Sequence, residues 1–92
     1  MLTRGCVVRS SAGKDKDCLL AVIGVTPDGL WVADGRARPL QRPKRKNPRH
    51  VADTGAVVDE ASMATNRELR RALAAMEAAL PAGEANKRDT LT

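Results

Sequence analysis

The stretch LLAVIGVTPDGLWVADG, residues 19–35, decides the fold. LLAVIGV is an apolar run rich in β-branched side chains, which is typical of a buried strand. The TPDG segment that follows is a turn, because Pro27 presets φ and Gly29 permits positive φ. LWVA, residues 30–33, is the next short apolar segment. The stretch therefore predicts two strands joined by a tight turn.

Further short strands are predicted on both sides of this pair. GCVVRS, residues 5–10, ends at a Ser-Ser-Ala-Gly break. The Asp-Gly dipeptide at 34–35 is typical of a tight hairpin, so ARPLQ, residues 37–41, is predicted as a fourth strand that Pro39 confines to an edge or a bulge. RHVAD, residues 49–53, is predicted to close the sheet. Five short strands with turn signals between them predict a mainly β fold, a small and partly open barrel.

The second half of the sequence has a helical pattern. Residues 54–64 are predicted as a connector and residues 65–81 as a C-terminal amphipathic α-helix, with 82–92 as a flexible tail. Thr65 and Glu68 have the Thr-x-x-Glu spacing of a capping box. We expect the apolar stripe of this helix to dock on the barrel. The stripe consists of Leu69, Leu73, Met76 and Leu80.

Size and composition exclude several classes of function. The chain has 92 residues, no Phe or Tyr and one Trp, so its core is thin and a deep ligand pocket is not expected. No apolar run is long enough to span a bilayer, and the N-terminus lacks an extended signal region. We therefore expect a cytoplasmic protein with no membrane partner. Cys6 and Cys18 are expected to be unpaired and buried, and with the single His50 they are too few for a zinc site, so no metal or cofactor is predicted.

No catalytic arrangement is visible in the sequence. There is no Ser-His-Asp order and no Walker-type loop. GKDKD, residues 13–17, alternates carboxylates with lysines, which is typical of a self-neutralised and solvated hairpin loop. His50 follows Arg49 and is expected to be exposed or at a strand edge. We therefore expect that the protein is not an enzyme.

Positive charge is concentrated in the first half of the chain. Residues 1–50 carry 11 Lys and Arg against 4 Asp and Glu, a net charge of +7, whereas residues 51–92 carry 5 against 7, a net charge of −2. From Arg36 to Arg49, seven of fourteen residues are basic and none is acidic. Basic side chains that meet phosphates release counterions, which supplies affinity. Nucleic acid is thus the predicted partner, with a merely solubilising loop as the alternative.

The scarcity of aromatic residues narrows the kind of nucleic acid. Proteins that bind single strands stack bases on aromatic side chains, and the only Trp, Trp31, lies in a predicted strand and is expected in the core. A protein that recognises folded RNA by its phosphates and shape fits better. Asn47 and His50 could add hydrogen bonds to phosphate, to 2′-OH groups or to base edges.

Several segments resemble a known family. GCVVRSSAGKDKD, residues 5–17, resembles a KOW motif, in which a Gly opens a strand and a Gly-containing basic loop follows. VADG, RPL and PKRKN then follow in order before His50, and this arrangement resembles small bacterial KOW-domain RNA-binding proteins. Those proteins are similar to KOW-containing archaeal and eukaryotic large-subunit ribosomal proteins. The resemblance covers residues 5 to about 53, and more weakly TNRELRRAL at 65–73. The residues that match the KOW motif are Gly5, Val7, Val8, Gly13, Lys14 and Lys16.

The resemblance implies an SH3-like barrel within residues 1–53 that binds structured ribosomal RNA, with a role on the ribosome in translation or ribosome assembly. It places two loops on the binding face: the loop that contains Lys14 and Lys16, and the PKRKN loop. Asp17 stands where the family usually has Gly, and Asp tolerates the left-handed backbone that Gly would permit. The alternative is a protein-interaction module of the transcription or translation machinery that binds through the barrel or the helix stripe. The candidate RNA-binding residues are Lys14, Lys16, Arg36, Arg38, Arg42, Lys44, Arg45, Lys46, Asn47, Arg49 and His50.

Overall fold

A computed structural model describes residues 2–79, which form one antiparallel sheet of five strands followed by one α-helix. The elements are β1 (Cys6–Ser10), β2 (Leu19–Thr26), β3 (Gly29–Ala33), β4 (Lys44–Lys46), β5 (Val51–Val57) and α1 (Asn66–Ala79). The strands are ordered β4-β3-β2-β1-β5, and short 3-10 turns precede β2 and β5. This confirms the expected mainly β fold, in which a small barrel-like sheet is followed by a helix.

The central pair of strands forms as the sequence predicts. β2 and β3 pair antiparallel, and the turn between them has two residues, since Thr26 pairs with Gly29. The Thr26 hydroxyl donates a hydrogen bond of 3.0 Å to the Gly29 carbonyl. A side chain at Gly29 would meet the backbone of β4, because its Cβ would lie 2.9 Å from the Lys46 carbonyl oxygen.

The predicted fourth strand at 37–41 is wrong. Asp34 does not begin a tight hairpin, because its carboxylate accepts hydrogen bonds of 2.8 and 2.9 Å from the backbone N–H groups of Arg36 and Arg38. An Asp side chain that binds the backbone just after it favours a local turn over a ladder. The chain therefore loops from 34 to 43, and the strand that pairs with β3 is KRK in the PKRKN segment.

The last strand is shifted along the chain from its predicted position. Pro48–His50 form a 3-10 turn, which the Asn47 side chain caps by accepting a hydrogen bond of 2.8 Å from Arg49 N–H. β5 starts only at Val51 and runs to Val57, whereas the strand was predicted at 49–53. Residues 54–57, expected in the connector, therefore belong to the sheet.

Apolar side chains are buried on both faces of the sheet. One cluster consists of Val8, Leu20, Val22, Leu30 and Val32. The cluster on the other face includes Val7, Leu19, Ala21 and Ala33, and the helix packs there. Successive strand residues point to opposite faces. Burial on both faces explains why the start of β2 reads as a continuous apolar run with no alternation.

The helix docks on the sheet through the expected stripe. The Thr65 hydroxyl caps it by accepting a hydrogen bond of 3.1 Å from Glu68 N–H. Leu69 and Leu73 are buried in the cluster on that face, and Met76 packs against its edge. The remaining stripe residue, Leu80, and the predicted helix end and tail at 81–92 lie outside the described residues.

The connector between β5 and α1 is a packed part of the fold. Val58 and Met63 are buried in the cluster beneath the helix. The Arg4 guanidinium donates to both carboxylate oxygens of Glu60 at 2.8 Å and to the Ile23 carbonyl at 2.7 Å. These hydrogen bonds from Arg4 lower the pKa of the Glu60 carboxyl. The connector is thereby joined to the start of β1 and to β2.

The two cysteines are unpaired, as expected. Cys6 is half-buried beside the cluster of Val8 and Leu20, but the expectation that Cys18 is buried is wrong. Cys18 ends the loop before β2, where its carbonyl accepts a hydrogen bond of 3.0 Å from Ser10 N–H. The buried part of β2 begins only at the next residue.

The docking of the helix can be tested at Leu69, which is fully buried. Leu69→Ala removes a large side chain from the packed cluster and is expected to lower the free energy of unfolding by about 2–5 kcal/mol. Urea denaturation followed by circular dichroism measures the change. Arg67→Ala, on the exposed side of the same helix, serves as the control and should have little effect. A loss below about 1 kcal/mol for Leu69→Ala would show that the helix is not docked.

Candidate nucleic-acid interface

Three separate segments meet at one end of the barrel. The first loop, residues 11–18, joins β1 to β2, and the second loop, residues 34–43, joins β3 to β4. The third segment is 47–50, between β4 and β5. Ser11 N–H donates a hydrogen bond of 2.8 Å to the His50 carbonyl, which places the third segment against the first loop. The second loop meets the first loop through Arg38, whose guanidinium lies 3.3 Å from the Asp15 carboxylate.

A buried carboxylate holds the first two loops together. The Arg38 guanidinium approaches the Asp15 carboxylate with Nε and Nη2, each 3.3 Å from the same oxygen. Lys46 Nζ lies 4.0 Å from that oxygen and donates a hydrogen bond of 2.9 Å to the Ala12 carbonyl. We call Asp15, Arg38 and Lys46 the Asp15 cluster.

The Asp15 cluster corrects the expectation that GKDKD is a solvated, self-neutralised loop. The side chains of Asp15 and Lys46 are only 9% and 7% exposed. Asp15 is neutralised by two cations from distant parts of the chain, and the neighbouring lysines are not its partners. Charge interactions are stronger where water is excluded. Two of the candidate RNA-binding residues, Arg38 and Lys46, thus already have an acidic partner within the protein.

The other basic residues of these segments, and Lys44 and Arg45 of β4, have no such partner. Within residues 2–79 their side chains form no ion pair and no hydrogen bond, and they are exposed except for the half-buried Lys44. We call this set the cation surface. It consists of Lys14, Lys16, Arg36, Arg42, Lys44, Arg45 and Arg49.

The two remaining candidates, Asn47 and His50, differ in their roles. Both are exposed at the turn before β5. The side-chain oxygen of Asn47 already caps that turn, so this residue stabilises the fold. The exposure of His50 agrees with the sequence prediction. His50 follows Arg49, a member of the cation surface, in the sequence.

Strand β4 divides its three basic residues between the two faces of the sheet. Lys44 and Lys46 pair with Val32 and Leu30, whose side chains belong to the apolar cluster on the face away from the helix. Arg45 pairs with Trp31 and shares the opposite face with it. The PKRKN segment was predicted as a loop on the binding face. A strand cannot present all three in one direction, because its side chains alternate.

Trp31 is not a core residue, contrary to expectation. It is 37% exposed and lies outside both apolar clusters of the described chain. Trp31 lies on the same face of β3 as Ala33, which packs against the helix. It is two residues before Ala33 in the strand and lies beyond the part of that face that the helix covers. The exposure of Trp31 therefore depends on how far the helix reaches, which no local pattern in the sequence indicates.

Asp17 has a left-handed backbone, a conformation that Gly adopts most readily. Its φ is +72°, the only positive φ of a residue other than Gly in the described chain. Its N–H donates a hydrogen bond of 2.7 Å to the Ser10 carbonyl, and its own carbonyl accepts one of 2.8 Å from Arg9. Its exposed carboxylate places a negative charge beside Lys16. The first loop therefore contributes less positive field than the second.

The helix positions the second loop through residues that sequence reasoning missed. The Asn66 side chain accepts a hydrogen bond of 2.7 Å from Leu40 N–H and donates one of 2.8 Å to Gln41. Arg70 donates one of 2.9 Å to the Gly35 carbonyl. Gly35 has a φ of +79°, and a side chain there would collide with the Asn66 carbonyl oxygen. Nothing in the sequence distinguished Asn66 or Arg70 from other polar helix residues.

Neither a metal site nor a membrane-spanning helix is found in the described chain. Within residues 2–79 no three side chains of His, Cys, Asp or Glu come close enough to hold a metal ion. No helix in that range is long and apolar enough to cross a membrane. The sequence matches no model of a known protein family, and no curated protein matches it either.

The structural importance of the Asp15 cluster can be tested by removing its negative charge. Asp15→Asn leaves the buried Lys46 ammonium without a carboxylate and is expected to lower the free energy of unfolding by about 3 kcal/mol. Urea denaturation measures the change. Asp28→Asn, in the exposed turn between β2 and β3, is the matched control. If the two variants lose equally little stability, the carboxylate does not hold the loops together.

Proposed function

We propose that the protein binds structured RNA through phosphate contacts on the cation surface. The observation that carries this proposal is the set of seven basic side chains, drawn from the three segments and from β4, that have no acidic partner within residues 2–79. Like charges held close together repel, and a polyanion relieves that repulsion. Each phosphate contact also releases counterions from the RNA.

The rigidity of the surrounding loops supports this function. The Asp15 cluster and the contacts from Asn66 and Arg70 fix the second loop at several points. Pro39 and Pro43 restrict its backbone further. A surface that is already ordered loses less conformational entropy on binding, so more of the gross interaction appears as affinity.

RNA is favoured over duplex DNA as the partner. Proteins that read the major groove of DNA usually insert a helix. In α1 the apolar face is docked on the sheet, and Arg70 binds the second loop. A-form RNA offers a wide, shallow minor groove with 2′-OH groups, which a broad basic surface can meet. The exposed His50 supplies a hydrogen-bonding group for them.

The biological setting comes from the resemblance to KOW-domain proteins. We propose a non-enzymatic, cytoplasmic protein that is associated with the ribosome through structured ribosomal RNA, in translation or ribosome assembly. The left-handed backbone at Asp17 supports this assignment, since it falls where the family usually has Gly. Gly35 of VADG contacts Asn66 and Arg70 of TNRELRRAL, so both segments have a structural role in this chain.

The alternative, a protein-interaction module that binds through the helix stripe, loses support. That alternative needs the stripe to be available to a partner. Leu69 and Leu73 are buried against the sheet of the same chain, and Met76 packs beside them. Binding through the barrel remains compatible with this arrangement, but no described feature favours it over RNA.

The proposal is tested by removing two members of the cation surface. Lys44→Ala combined with Arg45→Ala should weaken binding to a structured ribosomal RNA fragment and reduce the slope of log K against log salt by about 1.5–2 units. Fluorescence anisotropy of labelled RNA at several salt concentrations gives the slope. Lys46 is left unchanged, because it belongs to the Asp15 cluster.

The matched control removes the same charge elsewhere. Arg67→Ala combined with Arg71→Ala changes two exposed basic residues of α1 and lowers the net charge equally. This double variant should keep the salt slope of the unmodified protein. Equal effects from both double variants would contradict a local site, because they would mean that net charge alone attracts the RNA.

A further inference from the structure

The surroundings of Trp31, the exposed residue of β3, form an arrangement that phosphate binding alone does not use. Trp31 stands directly between Gly24 on β2 and Arg45 on β4. The position of a Cβ on Gly24 would lie 3.7 Å from Cβ and Cδ1 of Trp31. The indole thus lies beside bare backbone on β2, and the residue that pairs with Trp31 on β4 is Arg45.

The chemistry of this pair matches a nucleotide. An exposed indole offers a flat surface for stacking, and base stacking on aromatic side chains occurs with every base. A guanidinium can contact a neighbouring phosphate and can also lie against a π system. A nucleotide offers a flat base and a negative charge close together. An apolar protein partner would have to bury Arg45 without an anion, which is unfavourable.

We propose that Trp31 and Arg45 form a binding site for one unpaired nucleobase of the RNA, with the base stacked on the indole and the adjacent phosphate at Arg45. This inference rests on the proposed function, because Arg45 also belongs to the cation surface. It further specifies the RNA: a duplex supplies phosphates to the cation surface, and a bulged or loop nucleotide beside it supplies the base. A base within a continuous duplex is stacked and paired on both sides, so it cannot reach Trp31.

The sequence provides a direct probe of this site. Trp31 is the only Trp and the chain has no Tyr, so intrinsic fluorescence reports on this side chain alone. The unmodified protein is titrated with an RNA hairpin that has one unpaired nucleotide in its stem, with the fully paired hairpin of equal length, and with inorganic polyphosphate. We expect strong quenching with the bulged hairpin, and little with the other two even where they bind.

Variants of Trp31 test the same site through affinity. Trp31→Leu should weaken binding to the bulged hairpin by about tenfold, since stacking of one base contributes on that scale, and should leave binding to the paired hairpin unchanged. Trp31→Phe keeps an aromatic ring and should retain most of the affinity. Val57→Ala alters an exposed apolar residue on β5, away from the site, and should change neither affinity.

The outcomes separate this inference from the proposed function. Salt-dependent binding of both hairpins with equal quenching would overturn the stacking site and leave phosphate binding intact. Failure of both hairpins to bind would overturn the two together. If Trp31→Leu does not fold, the fluorescence comparison on the unmodified protein decides alone.

Discussion

The Asp15 carboxylate is the group on which the arrangement of the basic segments depends. It is nearly buried, and Arg38 and Lys46 reach it from the second loop and from β4. A buried ion pair adds little net stability compared with apolar packing, but loss of one partner leaves an uncompensated charge. The consequence is a fixed geometry, in which the first loop, the second loop and β4 are held at one end of the barrel. The helix adds to this through Asn66, which binds the second loop from the other side.

The basic residues between 36 and 49 thus divide into two groups. Arg38 and Lys46 stabilise the fold by neutralising Asp15, whereas the other five basic residues of this stretch belong to the cation surface and have no acidic partner in the described chain. Mutations in the two groups therefore test different properties of the protein. Loss of RNA binding in a variant of Lys46 would report on the position of the loops, while loss in a variant of Lys44 or Arg45 would report on contact with RNA.

Local signals in the sequence predicted much of the fold, and contacts between distant residues explain what it did not. The apolar run in β2, the TPDG turn and the Thr65 cap were readable because each depends on neighbouring residues. The error at 37–41 arose because Asp34 binds the backbone of its own loop, and the helix then holds that loop open. The basic segments of the candidate site were identified, but their division was not. Burial of Asp15 and exposure of Trp31 both depend on elements far away in the chain.

The proposed RNA-binding site is tested most directly by a map of the protein surface that contacts RNA. Nuclear magnetic resonance spectra of the ¹⁵N-labelled protein, recorded during titration with a structured ribosomal RNA fragment, provide it residue by residue. We expect the largest shifts in residues 34–50, with smaller shifts in the first loop and little change on the exposed side of α1. Shifts concentrated on α1, or no saturable shifts at low salt, would contradict the proposed site.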